Sequence, residues 1–456
     1  MKKYSIVNER NNDEYVFKGA YIFKNKNKNR NLILSKNGTN LIVNNNLAKK
    51  IQKLNLDEDL ILKLVQRGFI QYQNSRKIVN NCNIVKPTFF LIDLTEVCNL
   101  KCVYCFRKLD AKRMTEEKAL NICDFIKQYC INYKIKHIAI QPWGGEPLSE
   151  FELIKKIQDY FRNTDINVKM IIETNATLIN DEIAKELYKR NFGIGVSIDG
   201  DRELHNEQRK FLNGNGSYDA VIKGIECLNE AGYKGKLGAI CVITKKNFKN
   251  VKKIIYNLTE VLNLKRIKFN LVRTNDKSLL LNEKEVKEFA NSIFDIVIEY
   301  LEKGKKIIIS DIQDRVSNIE RRANNSICIS CGCMSGRKMI SFNYKGDIFP
   351  CQMSDFETEK IGNIDERKDL IEMINKTIEH SELYKDIKGR KCNKCPWWYY
   401  CRGGCKSNRL YKYYFSKTVD KQECVYNRII YQKIVDIILE KPYIIEIMRN
   451  EEEGRK

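Results

Sequence analysis

The chain contains no run of 18 consecutive apolar residues, and its basic start, MKKYSIVNER, has no apolar segment behind it. A membrane-crossing helix needs about 20 such residues and a secretory signal needs an apolar core, so neither is expected and the cytoplasm is the predicted compartment. Histidine is scarce, three in 456 residues, so any metal centre has to be rich in thiolate. Charge of one sign is nowhere gathered into a block. Lys and Arg number 81 against 58 Asp and Glu, a net charge of +23, but the cations are scattered through a Lys- and Asn-rich sequence. That distribution predicts a solvated surface, with no nucleic acid and no membrane as partner. Low-complexity repeats are missing too, and apolar and charged contents of 43% and 30% exclude a disordered or collagen-like chain. The length predicts about three domains. Cysteine is abundant instead, with 17 residues. Where thiols are kept reduced, so many cysteines point to metal binding, catalysis or core packing rather than disulfides.

Residues 1–80 alternate short β-type runs (YVFKGAYIF, NLILS, TNLIV) with two helical stretches, LAKKIQKL and DEDLILKLVQRGFI, which Asp57 to Asp59 open and Gly68 stops. This is an α+β module of winged-helix size, followed by a polar linker from Gln71 to Asn83. From Phe89 the pattern becomes regular. Apolar runs at 89–94, 137–143, 169–175, 193–199, 237–244 and 266–272 are each followed by a helix-type segment, the last of them with Asn282 and Glu285 spaced as a capping box. Six βα units predict a parallel sheet closed into a partial (β/α)6 TIM-like barrel over residues 88–305. Residues 306–456 hold nine of the 17 cysteines in loop-rich sequence, then a helix broken at Pro442.

The first barrel strand runs into LTEVCNLKCVYCFRK, placing Cys98, Cys102 and Cys105 in a C-x3-C-x2-C array. Three thiolates in eight residues converge on one soft metal or cluster. Three rather than four leaves a [4Fe–4S] cluster with one iron open, whereas a structural zinc site is closed by a fourth ligand. The next strand ends carry Gly144-Gly145-Glu146-Pro147, then Glu173-Thr174-Asn175, then Ser197-Ile198-Asp199-Gly200. Active sites of (β/α) barrels lie at these ends, so the four segments line one mouth. Two glycines permit close backbone approach to a ligand there, and Glu146 offers an acceptor for an ammonium group.

These residues resemble the radical S-adenosylmethionine (SAM) superfamily over residues 89 to about 300. The resemblance implies a [4Fe–4S] cluster on Cys98, Cys102 and Cys105, chelated at its open iron by SAM. It also implies Tyr104 near adenine, Gly144 to Pro147 at the methionine amino group, and Asn175, Ser197 and Arg209 as further SAM contacts. The reduced cluster, fed by a reductant such as flavodoxin or ferredoxin, would cleave SAM to a 5′-deoxyadenosyl radical.

In the third region, KCNKCPWWYYCRGGC spaces Cys392, Cys395, Cys401 and Cys405 as C-x2-C-x5-C-x3-C, with Cys424 beyond; Cys333 and GDIFPC, ending at Cys351, lie upstream. Seven thiolates exceed one tetrahedral site and require two centres. The arrangement resembles the SPASM domain of radical SAM enzymes. The resemblance implies a distal auxiliary cluster on Cys392, Cys395, Cys401 and Cys424, and a nearer one on Cys333, Cys351 and Cys405, closed by Cys328 or Cys331, with Cys328 preferred, or left open. The WWYY run is expected to pack around the distal cluster, and Cys123, Cys130 and Cys241 to be buried thiols. His205 and His380 are read as structural, and nothing is assigned to Cys82.

Residues 1–80 resemble the RiPP recognition element fused to maturases of ribosomally made peptides, which binds a leader as an added strand. The resulting expectation is a peptide maturase that forms thioether crosslinks in a Cys-rich precursor with a leader. The alternatives are an anaerobic sulfatase-maturase-like enzyme making formylglycine, or another peptide-modifying SPASM enzyme that forms C–C crosslinks. In sulfatase maturases an Asp follows the second SPASM cysteine, whereas here Gln352 follows Cys351. A zinc-binding nucleic-acid-binding protein would leave the GGEP loop and the six βα units without a purpose.

Overall fold

A computed structural model describes the chain apart from residues 1–3, 12–14, 18, 26–27, 73–83, 108, 275, 306, 321–325, 354–356, 381–391, 414–418 and 454–456. Most of the expected linker, with Cys82, therefore lies outside the described residues. The N-terminal module contains β1 (Tyr4–Val7), β2 (Arg10–Asn11), β3 (Tyr15–Phe17), β4 (Ala20–Lys24), β5 (Asn31–Ser35), β6 (Asn40–Val43) and β7 (Ile70–Tyr72). These form two antiparallel sheets, β1-β4-β5-β6 and β2-β3-β7. Helices Asn45–Lys53 and Glu58–Gln66 join β6 to β7. Asn44 and Asp57 cap them by accepting from Leu47 N and Leu60 N, and Gly68, at φ 70°, ends the second.

Alternation along β4 and β5 gives the larger sheet two buried faces. Ala20, Ile22 and Ile33 turn towards Ile51, Leu60 and Leu64 in the module's own core. Tyr21, Phe23, Leu32 and Leu34 turn the other way and join the main core of the molecule.

The six expected barrel strands are β8 (Phe89–Thr95), β9 (His137–Gly144), β10 (Asn167–Thr174), β11 (Gly193–Ser197), β12 (Gly238–Ile243) and β13 (Arg266–Leu271). They are parallel and lie in chain order, with a short β14 (Ile308–Ile309) beyond β13. The helix Glu283–Glu302 opens on the expected capping box of Asn282 and Glu285. At its other edge the sheet continues: β15 (Met339–Phe342) pairs parallel with β8, and β16 (Asp347–Phe349) and β17 (Gly362–Asn363) follow antiparallel, giving ten strands. Part of the Cys-rich region is thus built directly onto the first barrel strand. Helix Lys421–Glu440 closes the molecule, and Pro442 opens the next helix, Pro442–Glu453. Cys123, Cys130 and Cys241 are buried, as is Cys227. Among the described residues no helix is long and apolar enough to cross a membrane.

Candidate functional site

The loop after β8 brings Cys98, Cys102 and Cys105 together as free thiols, with Cys105 N donating to Cys102 O at 3.0 Å. Lys101 N and Val103 N donate to Lys210 O and Gln208 O, which ties the loop to the segment after β11. Cys98 Sγ accepts from Leu100 N at 3.4 Å, and Asn175 Nδ2 stands 3.9 Å from it. Burial pushes the Cys98 thiol up to about 11 and Cys102 to about 12, and the charges of their thiol neighbours add to this. Cys98 and Cys102 therefore hold their protons until a metal displaces them.

The GGEP loop fits against this array in a way the sequence did not predict. Gly145 N and Glu146 N donate to Thr95 O and Val97 O. Gly144 has φ +151°, and a Cβ there would stand 2.5 Å from Thr95 O; one on Gly145 would overlap the Val97 carbonyl and reach 3.0 Å from Cys98 Cβ. The glycines are required because the cysteine loop lies against them, not only because a ligand might. Glu146 is likewise turned inward: it is 1% exposed, accepting from Leu148 N and the Thr174 hydroxyl at Oε1 and from Asn175 N at Oε2. Its side chain ties the ends of β9 and β10 together; Pro147 is buried behind it and opens a short helical turn.

Tyr104 and Arg209 meet at Asp199, which the sequence placed at the fourth strand end without a role of its own. Its Oδ2 accepts from the Tyr104 hydroxyl at 2.6 Å and from Arg209 Nε at 3.1 Å, and its Oδ1 accepts from Val242 N at 2.9 Å. The Arg209 guanidinium lies 5.5 Å from the Tyr104 ring centroid. Both side chains are buried, so they brace the cysteine loop from behind; Ser197 is half-buried at the end of β11. The signal for Asp199 was its place after a strand end beside Ser197; Arg209 was named from the sequence as a SAM contact, not as the partner of Asp199.

Two further groups of thiols converge. Cys351 is pushed up first by burial, then by neighbouring Cys333, and further by Cys405 and Cys328. Cys405 is raised to about 12 by burial, with Cys333 adding to it and Arg273 opposing it. Met353 N and Asn408 N donate to the sulfurs of Cys351 and Cys405, and Cys351 Sγ donates to Gln352 Oε1 at 3.1 Å. Cys331 is disulfide-bonded, which leaves Cys328 as the free thiol beside this group. Cys392, Cys395, Cys401 and Cys424 line one small cavity with Trp397 and Arg428, and Asn427 Nδ2 donates to Cys401 Sγ at 3.5 Å.

Among the described residues no three His, Cys, Asp or Glu side chains approach closely enough to share a single metal ion. A cubane cluster is held at its corners by thiolates that stand farther apart than the ligands of one ion. The donor chemistry of all three groups fits such clusters: sulfur, with N–H donors aimed at the sulfurs.

Inside the barrel, Lys268 Nζ is 3.9 Å from Glu173, and Phe269 N donates to Asp311 Oδ2 at 3.1 Å. Lys268 keeps 44% of its side-chain surface exposed, and Glu173 first among its neighbours raises its pKa. Asp314, one turn on from Asp311, is pushed up to about 6 by burial and by Asp311. The sequence placed Glu173 at a strand end, but nothing in it marked Asp311 or Asp314.

Comparison with known proteins agrees with this geometry. Residues 92–256 match the Radical SAM superfamily and residues 333–396 the SPASM iron–sulfur cluster-binding domain. A cysteine-type anaerobic sulfatase-maturating enzyme of Clostridium novyi is 29% identical over 336 residues, 68% of this chain and 86% of the relative. Among solved structures, native anSMEcpe with bound AdoMet and the Cp18Cys peptide is 24% identical with TM-score 0.69, covering 80% of this chain and 99% of that one. Streptococcus suis SuiB bound to the precursor peptide SuiA is 18% identical with TM-score 0.53, covering 93% of this chain and all of that one.

Proposed function

We propose that this chain, which belongs to the radical SAM superfamily and carries a SPASM iron–sulfur domain, is a peptide-modifying enzyme that oxidises a cysteine or serine side chain, as a sulfatase maturase does. The observation that carries this reading is the convergence of Cys98, Cys102 and Cys105 at the barrel mouth, together with similarity to sulfatase-maturating enzymes over more than two thirds of the chain. This ranks formylglycine formation above the thioether chemistry expected from the sequence. In this reading Cys98, Cys102 and Cys105 hold the SAM-binding cluster, Cys328, Cys333, Cys351 and Cys405 the nearer auxiliary cluster, and Cys392, Cys395, Cys401 and Cys424 the distal one. Bound and reduced, the first cluster supplies the electron that splits SAM into methionine and a 5′-deoxyadenosyl radical.

What the chain itself supplies is position and a proton acceptor. Oxidising a cysteine to an aldehyde removes one hydrogen atom from its β carbon, which the 5′-deoxyadenosyl radical would take up, one proton from its sulfur, and one further electron, which an auxiliary cluster would accept; water then replaces sulfur, which leaves as hydrogen sulfide. Gln352, beside Cys351, is a carboxamide and takes up no proton at neutral pH. Glu173, Asp311 and Asp314 are the carboxylates grouped inside the barrel, and Asp314, lifted towards neutrality, has the basicity for the task.

A second reading, thioether or C–C crosslinking of a ribosomally made precursor, is supported by the N-terminal module and by the likeness to peptide-bound SuiB over 93% of this chain. One experiment separates the two. Anaerobically reconstituted enzyme, SAM, dithionite and a cysteine-containing peptide are combined, and 5′-deoxyadenosine and peptide mass are followed. On a peptide that contains cysteine and no serine, loss of two hydrogens with sulfur exchanged for oxygen supports the maturase, whereas loss of two hydrogens alone supports a crosslink. Release of 5′-deoxyadenosine with no change in any cysteine or serine peptide overturns both.

A further inference from the structure

The N-terminal module does not hang from the barrel on a tether. The β4–β5 face that carries Tyr21, Phe23, Leu32 and Leu34 lies on the segment holding the distal thiols. Phe23 stacks on Trp397 with ring centroids 5.3 Å apart, Trp397 stacks on Tyr431 at 5.2 Å, and Tyr431 on Tyr400 at 5.3 Å. Trp397 is two residues after Cys395 and lines the cavity of Cys392, Cys395, Cys401 and Cys424. Polar contacts frame the stack: the Tyr4 hydroxyl donates to Lys394 O, between Cys392 and Cys395, at 3.1 Å, and the Tyr400 hydroxyl donates to Gly38 O at 2.6 Å. Gly38, at φ +82°, lies so close to the Tyr399 ring that a Cβ there would run into it. Farther out, Asn25 Nδ2 and Lys28 Nζ donate to Leu439 O and Glu440 O, and Asn40 Nδ2 to Ile319 O. Phe23 and Trp397 are 1% and 3% exposed, so this contact admits no water.

We propose that the N-terminal module is the outer wall of the distal thiol site, closing the group held by Cys392, Cys395, Cys401 and Cys424 off from water and dioxygen through Phe23, Tyr4 and the Gly38 turn. The inference rests on the reading of those four cysteines as ligands of an iron–sulfur cluster. Physically, a cluster's resistance to oxidation and iron loss follows its solvent exposure, and an aromatic stack between two folded parts excludes solvent as a protein interior does. The module's place on this site is fixed by the alternation of β4 and β5: a sheet with only one apolar face would have left Trp397 open.

The test uses full-length, anaerobically reconstituted protein. Phe23→Ala opens a gap beside Trp397, and Phe23→Leu keeps an apolar side chain there without the stack, serving equally where the alanine variant does not fold. Leu62→Ala, on an exposed face of the module, is the control. Iron release to a chelator and bleaching of the visible band are followed in air. A Cys392→Ala chain identifies the distal irons as those it never loads. The expected result is that the Phe23 variants release about four irons per chain about ten-fold faster than the parent, with the rest unchanged and the control at the parent rate. Release at the parent rate, or equal acceleration in the control, overturns the wall. Full iron loading by Cys392→Ala overturns the cluster reading beneath it instead.

Discussion

Asp199 is a fully buried carboxylate whose charge is matched by one cation, Arg209, and by the Tyr104 hydroxyl and Val242 N. Removing one partner of a buried ion pair leaves the other charged and desolvated, at a cost of about 3–5 kcal/mol. Asp199→Ala is therefore expected to lower unfolding free energy by about that amount. Tyr104→Phe, which removes one hydrogen bond, is expected to lower it by about 1–2 kcal/mol. Denaturant titration under anaerobic conditions checks both, and equal losses would show that the ion pair is not the larger interaction. His205 gives a pH signature in the same place. It is buried, its Nδ1 accepts from Asp199 N at 3.3 Å, and its Nε2 pairs with the Ser217 hydroxyl at 3.0 Å. Burial first and Arg209 second push its pKa from 6.5 down to about 3. With a depressed folded pKa, the stability it contributes is complete above 6.5 and is lost as pH falls from there towards 3, because the unfolded chain binds the proton first. At pH 5 that loss is about 2 kcal/mol. Urea titrations at pH 7 and pH 5 should show His205→Asn losing less stability than the parent across this interval; equal losses would mean that the imidazole already carries a proton in the folded chain.

At the scale of elements, the meeting of two strand ends decides whether the cysteine loop can form. Gly145 lies so close to Val97 and Cys98 that any side chain there displaces the loop. Gly145→Ala is expected to cost the chain about four irons and most of its reductive SAM cleavage while leaving the irons of the SPASM region. Iron analysis with 5′-deoxyadenosine assay reads this, and full retention of both would show that the loop can yield. All six barrel strands were legible, because each is a β-rich run of strand length followed by a helix-period segment. The capping box at Asn282 and the stop at Gly68 were legible because capping is local. β15 was not: its four residues, MISF, have no pattern to separate them from loop, and only pairing with β8 makes them a strand. The role of Glu146 also escaped, because its partners Thr174 and Asn175 lie 28 and 29 residues on and only the parallel pairing of β9 and β10 brings them near. The second face of β4 and β5 escaped for a similar reason. YVFKGAYIF reads as strand, but nothing in it says that Tyr21 and Phe23 lie on a tryptophan some 370 residues away.

Across the whole molecule, the three groups of thiols rest on three separate supports. Cys98, Cys102 and Cys105 are held by the ends of β8, β9 and β10 and by the Asp199 cluster. Cys351 follows β16, which pairs with β15. Cys401 is joined through Asn427 to Arg315, whose guanidinium also bonds Glu423, the residue before Cys424, at 2.8 Å. Spacing alone made the first group legible, since eight residues cannot hold three cysteines far apart; the other two interleave over about 100 residues, and only the folded chain shows which thiols share a space. Separate supports predict separable losses. Replacing Cys98, Cys102 and Cys105 by Ala should remove about four irons and abolish reductive SAM cleavage, while replacing Cys392, Cys395, Cys401 and Cys424 should remove about four irons and leave SAM cleavage measurable. The second outcome is the more demanding. Cys401 and Cys424 are half-buried and line one cavity with Trp397, which stacks on Tyr431, so their loss loosens the contact between the N-terminal module and helix Lys421–Glu440. None of those residues touches the cysteine loop after β8, however, and the bonds to Lys210, Gln208 and Asp199 that brace that loop stay in place. Iron content and 5′-deoxyadenosine yield, measured on both variants beside the parent, decide it. Loss of all SAM cleavage in the distal variant, with its remaining irons retained, would mean that the distal group acts on the barrel mouth through the fold between them.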